Sequence, residues 1–340
     1  MKIGSVGYAT SQGLGYLMKS FYDGHVVSDV AIIHHGRRQT HTEWYPEGTL
    51  QITNLRHQSQ LRFLESWCLD KDVILFFETP FHWELIPYCR KFGIPTVMMP
   101  MHECMPVNWP YVTDYILNPS LLDQKVYPQG TYIPVPIDRI TWSRRDTAEV
   151  FVHNAGHGGL LGRNGTAELI TSMQYVKSPI YLIIRTQDPS IGPLHRIDNR
   201  IEVRTGTFPR ETLYREGDVF VFPEKFNGLS LPLQEAVASG MAVMTTHRFP
   251  NTEFLPPYIP INVDHYIRNR VSRRCIEFDE AVIRPKAIAE AIDKVYGTSV
   301  SQYSLDGLRW SQTMSWDALR PRYEDYFKCL IQNHKMKLQS

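Results

Sequence analysis

Two α/β domains of similar size, each a parallel sheet wrapped by helices and the two facing each other across a cleft, are the fold that the sequence predicts. Three observations carry this. The chain has 340 residues, and at about 150 residues per domain that length suggests two. Short apolar, β-rich runs alternate with longer amphipathic stretches along most of it, the signature of strands joined by crossover helices. The alternation pauses once, in a proline-rich and then charged stretch from Ile133-Pro134-Val135-Pro136-Ile137-Asp138 to Arg144-Arg145-Asp146, which reads as a linker.

The first series has strand-like runs at 3–8, 30–34, 73–78, 96–101, 115–117 and 132–135, with helical stretches at 13–22, 59–69, 82–91, 109–112 and 121–126. The second has strands at 150–154, 180–185, 201–204, 219–223 and 241–246, and helices at 166–175, 210–216 and 231–239. This divides the chain into a domain over 1–140 and another over 148–315. Open α/β sheets bind ligands outside the carboxyl ends of their strands, so the cleft is the expected place for a site.

Composition narrows the class. Apolar residues make up 43 % and charged residues 21 %, which fits a soluble globular protein and excludes disorder, collagen and coiled coil as the main architecture. Lys plus Arg is 36 against 35 Asp plus Glu, a formal net charge of +1. A chain that clings to polyanions over its whole surface is more basic, which leaves only a local patch for such a role. Cysteines 68, 89, 104, 275 and 329 form no CxxC pair, a pattern that fits reduced thiols in a cytoplasm. No apolar run approaches the roughly 18 residues needed to cross a bilayer. Met1-Lys2-Ile3-Gly4-Ser5 enters a strand directly, with no signal-peptide core. Together these predict a cytoplasmic protein.

The most informative segment runs from Val219 to Val243. An apolar strand ends at Pro223, and a loop carries Glu224, Asn227 and Gly228. A helix carrying Glu235 follows, and Gly240 stops it before the next strand. Amides at such a helix start can receive anionic oxygens, and a carboxylate such as that of Glu235 can accept from the two hydroxyls of a ribose. This stretch resembles the hallmark of glycosyltransferase family 4, the retaining enzymes of the GT-B fold: a strand, then a Glu, seven residues, a second Glu, a small-residue helix and a Gly. Glu235 falls on the second Glu. Asn227 stands on the first, where the family's acid contacts the donor sugar or its phosphate; an amide keeps the hydrogen bonding and loses the charge.

The resemblance continues along the chain. Gly13-Leu14-Gly15 lies where the family places a glycine turn near the donor diphosphate. The stretch from Gly93 to Glu103 is similar to the strand ending in the family's cleft-lining histidine, here His102. Asp114 to Ser120, Tyr132 to Asp138, and Met314-Ser315-Trp316-Asp317 also resemble family segments. The last is similar to the closing helix, here 316–340, which in GT-B proteins crosses back to the first domain. In the loop Gly156-His157-Gly158-Gly159-Leu160-Leu161-Gly162-Arg163-Asn164-Gly165, Arg163 and His157 match, the second loosely, the two basic residues that hold the diphosphate. Glycines let amides approach phosphate oxygens, and a guanidinium binds them in a two-pronged way.

The resemblance implies a nucleotide-sugar-dependent hexosyltransferase, with a UDP-sugar as donor, retention of configuration, and no metal or other cofactor. The second domain holds the donor through Gly228, Leu229, Ser230, Glu235, Arg163 and His157, with Gly13 approaching from the first. His102 and Asn227 are the expected catalytic residues. In the implied route the departing phosphate oxygen takes the acceptor's proton, with positioning and charge supplied by the protein.

Other signals weigh less. Asp70-Lys71-Asp72 has the form of a metal-binding DxD but sits between a helix and a buried strand, where short acidic turns are common. His153 and His157 are four apart, yet the glycines around them argue against the helix that would align them on zinc. Two basic clusters remain, His34-His35-Gly36-Arg37-Arg38-Gln39-Thr40-His41 and Arg268-Asn269-Arg270-Val271-Ser272-Arg273-Arg274. Arg37 and Arg38 are the candidate acceptor contacts. The acceptor is then a glycan, a small molecule, or DNA carrying a hydroxylated base flipped from the duplex. A non-catalytic sugar-nucleotide-binding protein is the remaining alternative, because of Asn227.

Overall fold

A computed structural model describes residues 1–36, 38–137, 140–191 and 198–339. The chain divides into two compact units. The first comprises Met1–Pro136, Arg274–Ile276 and Trp316–Ser340; the second comprises Ile137–Arg273 and Glu277–Ser315.

The first unit has strands β1 (Ile3–Tyr8), β2 (Asp29–Ile33), β3 (Leu50–Ile52), β4 (Val73–Glu78), β5 (Thr96–Pro100), β6 (Tyr115–Asn118) and β7 (Thr131–Tyr132). Its helices are α1 (Gly13–Asp23), α2 (Gln58–Cys68), α3 (Leu85–Lys91) and α4 (Leu121–Val126). The strands form a seven-stranded sheet in the order β3-β2-β1-β4-β5-β6-β7, parallel throughout. Val73, Ile74, Leu75, Phe76 and Phe77 are all buried, as a central parallel strand covered on both faces requires. The strand order reverses between β1 and β4, which marks the point where such sheets leave a crevice.

The second unit has strands β8 (Val150–Gly156), β9 (Tyr181–Thr186), β10 (Ile201–Thr205), β11 (Val219–Phe222), β12 (Ala242–Thr246) and β13 (Ile259–Ile261), in the order β10-β9-β8-β11-β12-β13. These too are all parallel, and the order reverses between β8 and β11. An antiparallel pair, β14 (His265–Asn269) and β15 (Phe278–Val282), stands apart from the sheet. Helices α5 (Thr166–Ser172), α6 (Leu231–Ala238), α7 (Asn251–Phe254), α8 (Pro285–Val295) and α9 (Ser301–Thr313) complete this unit.

The last helix, α10 (Trp316–Gln339), belongs to the first unit. It buries Leu319, Tyr323, Phe327 and Leu330, each worth about 1.5–3 kcal/mol by apolar area. The Tyr323 hydroxyl donates to the Pro134 carbonyl at 3.0 Å. The Trp316 and Tyr323 rings meet Phe21 of α1 edge-on, each at 5.1 Å. Gly24 lets this happen, because a Cβ there would enter the Trp316 indole. Among the described residues no helix is long and apolar enough to cross a membrane.

Some expected elements differ. Residues 109–112 form no helix: Pro110 disfavours helical backbone at Trp109, whose indole instead packs between Trp83 (6.1 Å) and Tyr127 (5.6 Å). The helix expected at 210–216 is one 3-10 turn, Arg210–Thr212. The strand expected at 132–135 is Thr131–Tyr132 alone, since Pro134 and Pro136 cannot donate to a ladder.

Candidate functional site

In the second unit two loops leave the carboxyl ends of β8 and β11, at the reversal of strand order. They lie against each other. The Lys225 amide donates to the Arg163 carbonyl at 2.7 Å, and a Cβ on Gly165 would strike the Pro223 carbonyl.

The first loop takes its shape from glycine. Gly156, Gly158, Gly159, Gly162 and Gly165 all have φ between 55° and 82°, a region that other residues enter at a cost. Gly156 and Gly158 face open space. His157 is exposed and Arg163 half-buried. Lys225 joins them: its ammonium lies 3.2 Å from Glu280 and 3.4 Å from Glu168, and 4.0 Å from where a Cβ of Gly162 would be. No local pattern in the sequence singles out Lys225; its backbone bond to Arg163 is what brings it here.

The second loop is braced from below. Glu224 is fully buried. It accepts from Arg248 Nη2 at 2.6 Å and from the Ser230 hydroxyl at 2.7 Å. Arg248 Nη2 also donates to the Asn227 carbonyl at 3.0 Å. The Asn227 side-chain oxygen accepts the Leu229 amide at 3.1 Å, closing a turn within its own loop around Gly228. Ser230, the residue before α6, has φ 44° and ψ 57°, left-handed backbone that is strained for serine and is held by the bond to Glu224.

Glu235 lies in α6, almost buried. One carboxylate oxygen takes Arg210 Nε at 2.9 Å and also Arg210 Nη2. The other takes the Tyr214 hydroxyl at 2.7 Å. Burial first, and then the Glu235 charge, push the Tyr214 phenol well above its ordinary range, so it stays a donor. A carboxylate offers about four acceptor sites; three are filled, which leaves one on the oxygen facing Tyr214. Arg210 and Tyr214 were not evident in the sequence, since they precede Glu235 by 25 and 21 residues. His153 is part of the core: its ring nitrogens pair with the Val221 carbonyl and the Thr166 hydroxyl, both at 2.8 Å.

In the first unit Gly13 opens α1, exposed and with open space where a side chain would project, whereas a Cβ on Gly15 would run into the Thr10 backbone. His102 lies in a 3-10 turn after β5. It is enclosed with two buried carboxylates, its Nδ1 being 3.1 Å from Glu103 and 3.4 Å from Asp123. Arg37 lies outside the described residues, and Arg38 is exposed. Tyr8 sits at the end of β1; burial, then Glu78, raise its phenol against an opposing pull from Arg38. In the acidic turn Asp70 pairs with Lys71 and Lys2, and Asp72 accepts the Lys2 amide at 2.7 Å. The second basic cluster is partly neutralised: Arg268 binds Asp279 at 2.8 Å, and Arg270 pairs with Glu277.

No protein-family model matches the chain, and no curated protein matches it in sequence. Solved structures do match its fold. HepE of Anabaena, in complex with UDP and glucose, superposes with a TM-score of 0.71 at 11 % identity, over 97 % of this chain and 100 % of that one. The lipopolysaccharide outer core galactosyltransferase WaaB gives 0.59 at 14 %, over 100 % of both chains. The sucrose-phosphate synthase of Thermosynechococcus elongatus gives 0.63 at 11 %, over 98 % and 100 %. The chain thus has the GT-B fold of these glycosyltransferases.

Proposed function

We propose that the protein is a glycosyltransferase that moves a hexose from a UDP-sugar to an acceptor hydroxyl, with retention of configuration and without a metal ion or other cofactor. The carrying observation is the pair of loops at the strand-order reversal of the second sheet, with Glu235 one helix turn beyond them. The open acceptor site on Glu235 suits a ribose hydroxyl, and Arg210 and Tyr214 fix the carboxylate for it. Arg163, with His157 in the same glycine-rich loop, supplies positive charge for the diphosphate in place of a metal. Gly228, Leu229 and Ser230 bound the sugar, and the Asn227 amide presents its NH₂ to it. Within the first unit, Gly13, exposed at the start of α1, and His102 remain the residues proposed for function. The spacing of the five cysteines, with no CxxC pair, supports a cytoplasmic setting.

Calorimetry with UDP tests this. UDP binds the wild type, and Glu235→Gln, which keeps an acceptor for Tyr214, weakens binding by about 1.5–3 kcal/mol, the range for hydrogen bonds to charged groups. Absence of UDP binding, or equal affinity in both proteins, overturns the assignment.

A further inference from the structure

Ser11, His41 and Glu43 form a hydrogen-bonded row that the donor site does not use. His41 Nδ1 is 2.7 Å from a Glu43 carboxylate oxygen, and its Nε2 is 2.7 Å from the Ser11 hydroxyl. The imidazole is fixed on its other sides as well. It stacks on Trp44 at 4.6 Å and 6°, and Trp44 stacks on Tyr16 of α1 at 5.3 Å. The His41 amide donates to the Ala9 carbonyl at 2.7 Å, which ties the segment after β2 to the end of β1. The row therefore lies at the carboxyl edge of β1 and β2, where parallel sheets take their ligands.

The chemistry of the row is specific. A backbone hydrogen bond and then His41 hold the Glu43 carboxyl below its ordinary range. An ionised Glu43 on Nδ1 selects the tautomer with its proton there, which makes Nε2 an acceptor for Ser11. The Ser11 oxygen then has lone pairs left to accept from a further hydroxyl. Glu43 is 64 % exposed along its side chain and accepts as well. Two acceptors spaced by one imidazole suit a ligand with several hydroxyl donors, and Glu43 repels a phosphate.

We propose that Ser11, His41 and Glu43 bind the hydroxyls of a neutral sugar, and so form the acceptor subsite of the first unit. This rests on the glycosyltransferase reading, yet its test is separate, because it needs no donor. The imidazole ¹⁵N signals of His41, assigned by their loss in His41→Gln, are followed by NMR while the full chain is titrated with methyl β-glucoside and methyl β-galactoside in the millimolar range. Inorganic phosphate and a fluorophosphonate serve as controls. The expected result is a saturable shift of Nε2 with a glycoside, and a half-saturating concentration about three- to tenfold higher in Ser11→Ala, the loss of one neutral hydrogen bond. That variant removes one partly exposed hydroxyl and keeps the test independent of whether His41→Gln folds. No shift with either glycoside, a shift with phosphate alone, equal affinity in Ser11→Ala, or covalent labelling of Ser11 by the fluorophosphonate, the mark of a nucleophilic serine, overturns the proposal. Failure of UDP to bind the second unit would leave this result standing and remove the donor reading alone.

Discussion

His153 is buried in the core as a neutral imidazole, its Nδ1–H donating to the Val221 carbonyl and its Nε2 accepting from the Thr166 hydroxyl, and burial disfavours a second ring proton. Burial brings its pKa down from 6.5 to about 4, against a smaller opposing effect of the Val221 carbonyl. Below pH 6.5 the unfolded chain gains a proton that the folded chain refuses. The contribution is therefore whole above pH 6.5 and is lost as the pH falls toward 4, about 3 kcal/mol over the window. Urea unfolding of wild type and His153→Gln between these pH values checks it: the wild type should lose stability more steeply. Arg163 is tested by ligand rather than by pH. Arg163→Ala should weaken UDP by several-fold more than uridine, with Lys restoring only part, because one ammonium does not replace a forked guanidinium. Titration of both ligands against the three proteins decides it, and equal losses for UDP and uridine would refute a diphosphate contact.

At the scale of the element, the loop between β11 and α6 depends on a pair beneath it. Glu224 and Arg248 are both buried, and they reach Ser230 and the Asn227 carbonyl at opposite ends of the loop. Arg248→Met should cost about 3–5 kcal/mol, since it strands a buried carboxylate, while Arg248→Met with Glu224→Gln should recover a good part of that. Thermal unfolding of the single and double variants measures the difference, and additive losses would argue against a coupled pair. This loop also shows what the sequence could and could not convey. The strand, the glycine stop at Gly240 and the position of Glu235 were legible, because each follows from local pattern. The parallel sheets were legible for the same reason, from the apolar runs of β1, β4 and β11. Arg248, Arg210 and Lys225 were not, because their partners lie far along the chain and nothing local in an arginine or lysine says which carboxylate it meets. The three-residue strands β3 and β13 are too short to show a period. The β14–β15 pair read as a basic cluster because the acidic strand opposite it is set by the hairpin register, Arg268 facing Asp279.

For the whole molecule, the division into units does not follow the order of the chain. The first unit draws on three separate stretches, the last being α10. A chain cut after residue 315 would leave Phe21 without Trp316 and Tyr323 and expose the apolar face that Leu319, Phe327 and Leu330 cover. Such a truncation should lower the unfolding temperature of the first unit, or prevent its folding, and spare the second, whose core clusters among the described residues contain no residue of α10. Limited proteolysis followed by mass spectrometry checks this: fragments within 137–315 should persist while those from 1–136 are lost. Because α10 follows the second unit along the chain, the order of synthesis matters too. On the ribosome the second unit has most of its sequence outside the exit tunnel before the first is complete, so the domain whose translation starts first is finished last, and Phe21 of α1 must wait for the rings of that helix.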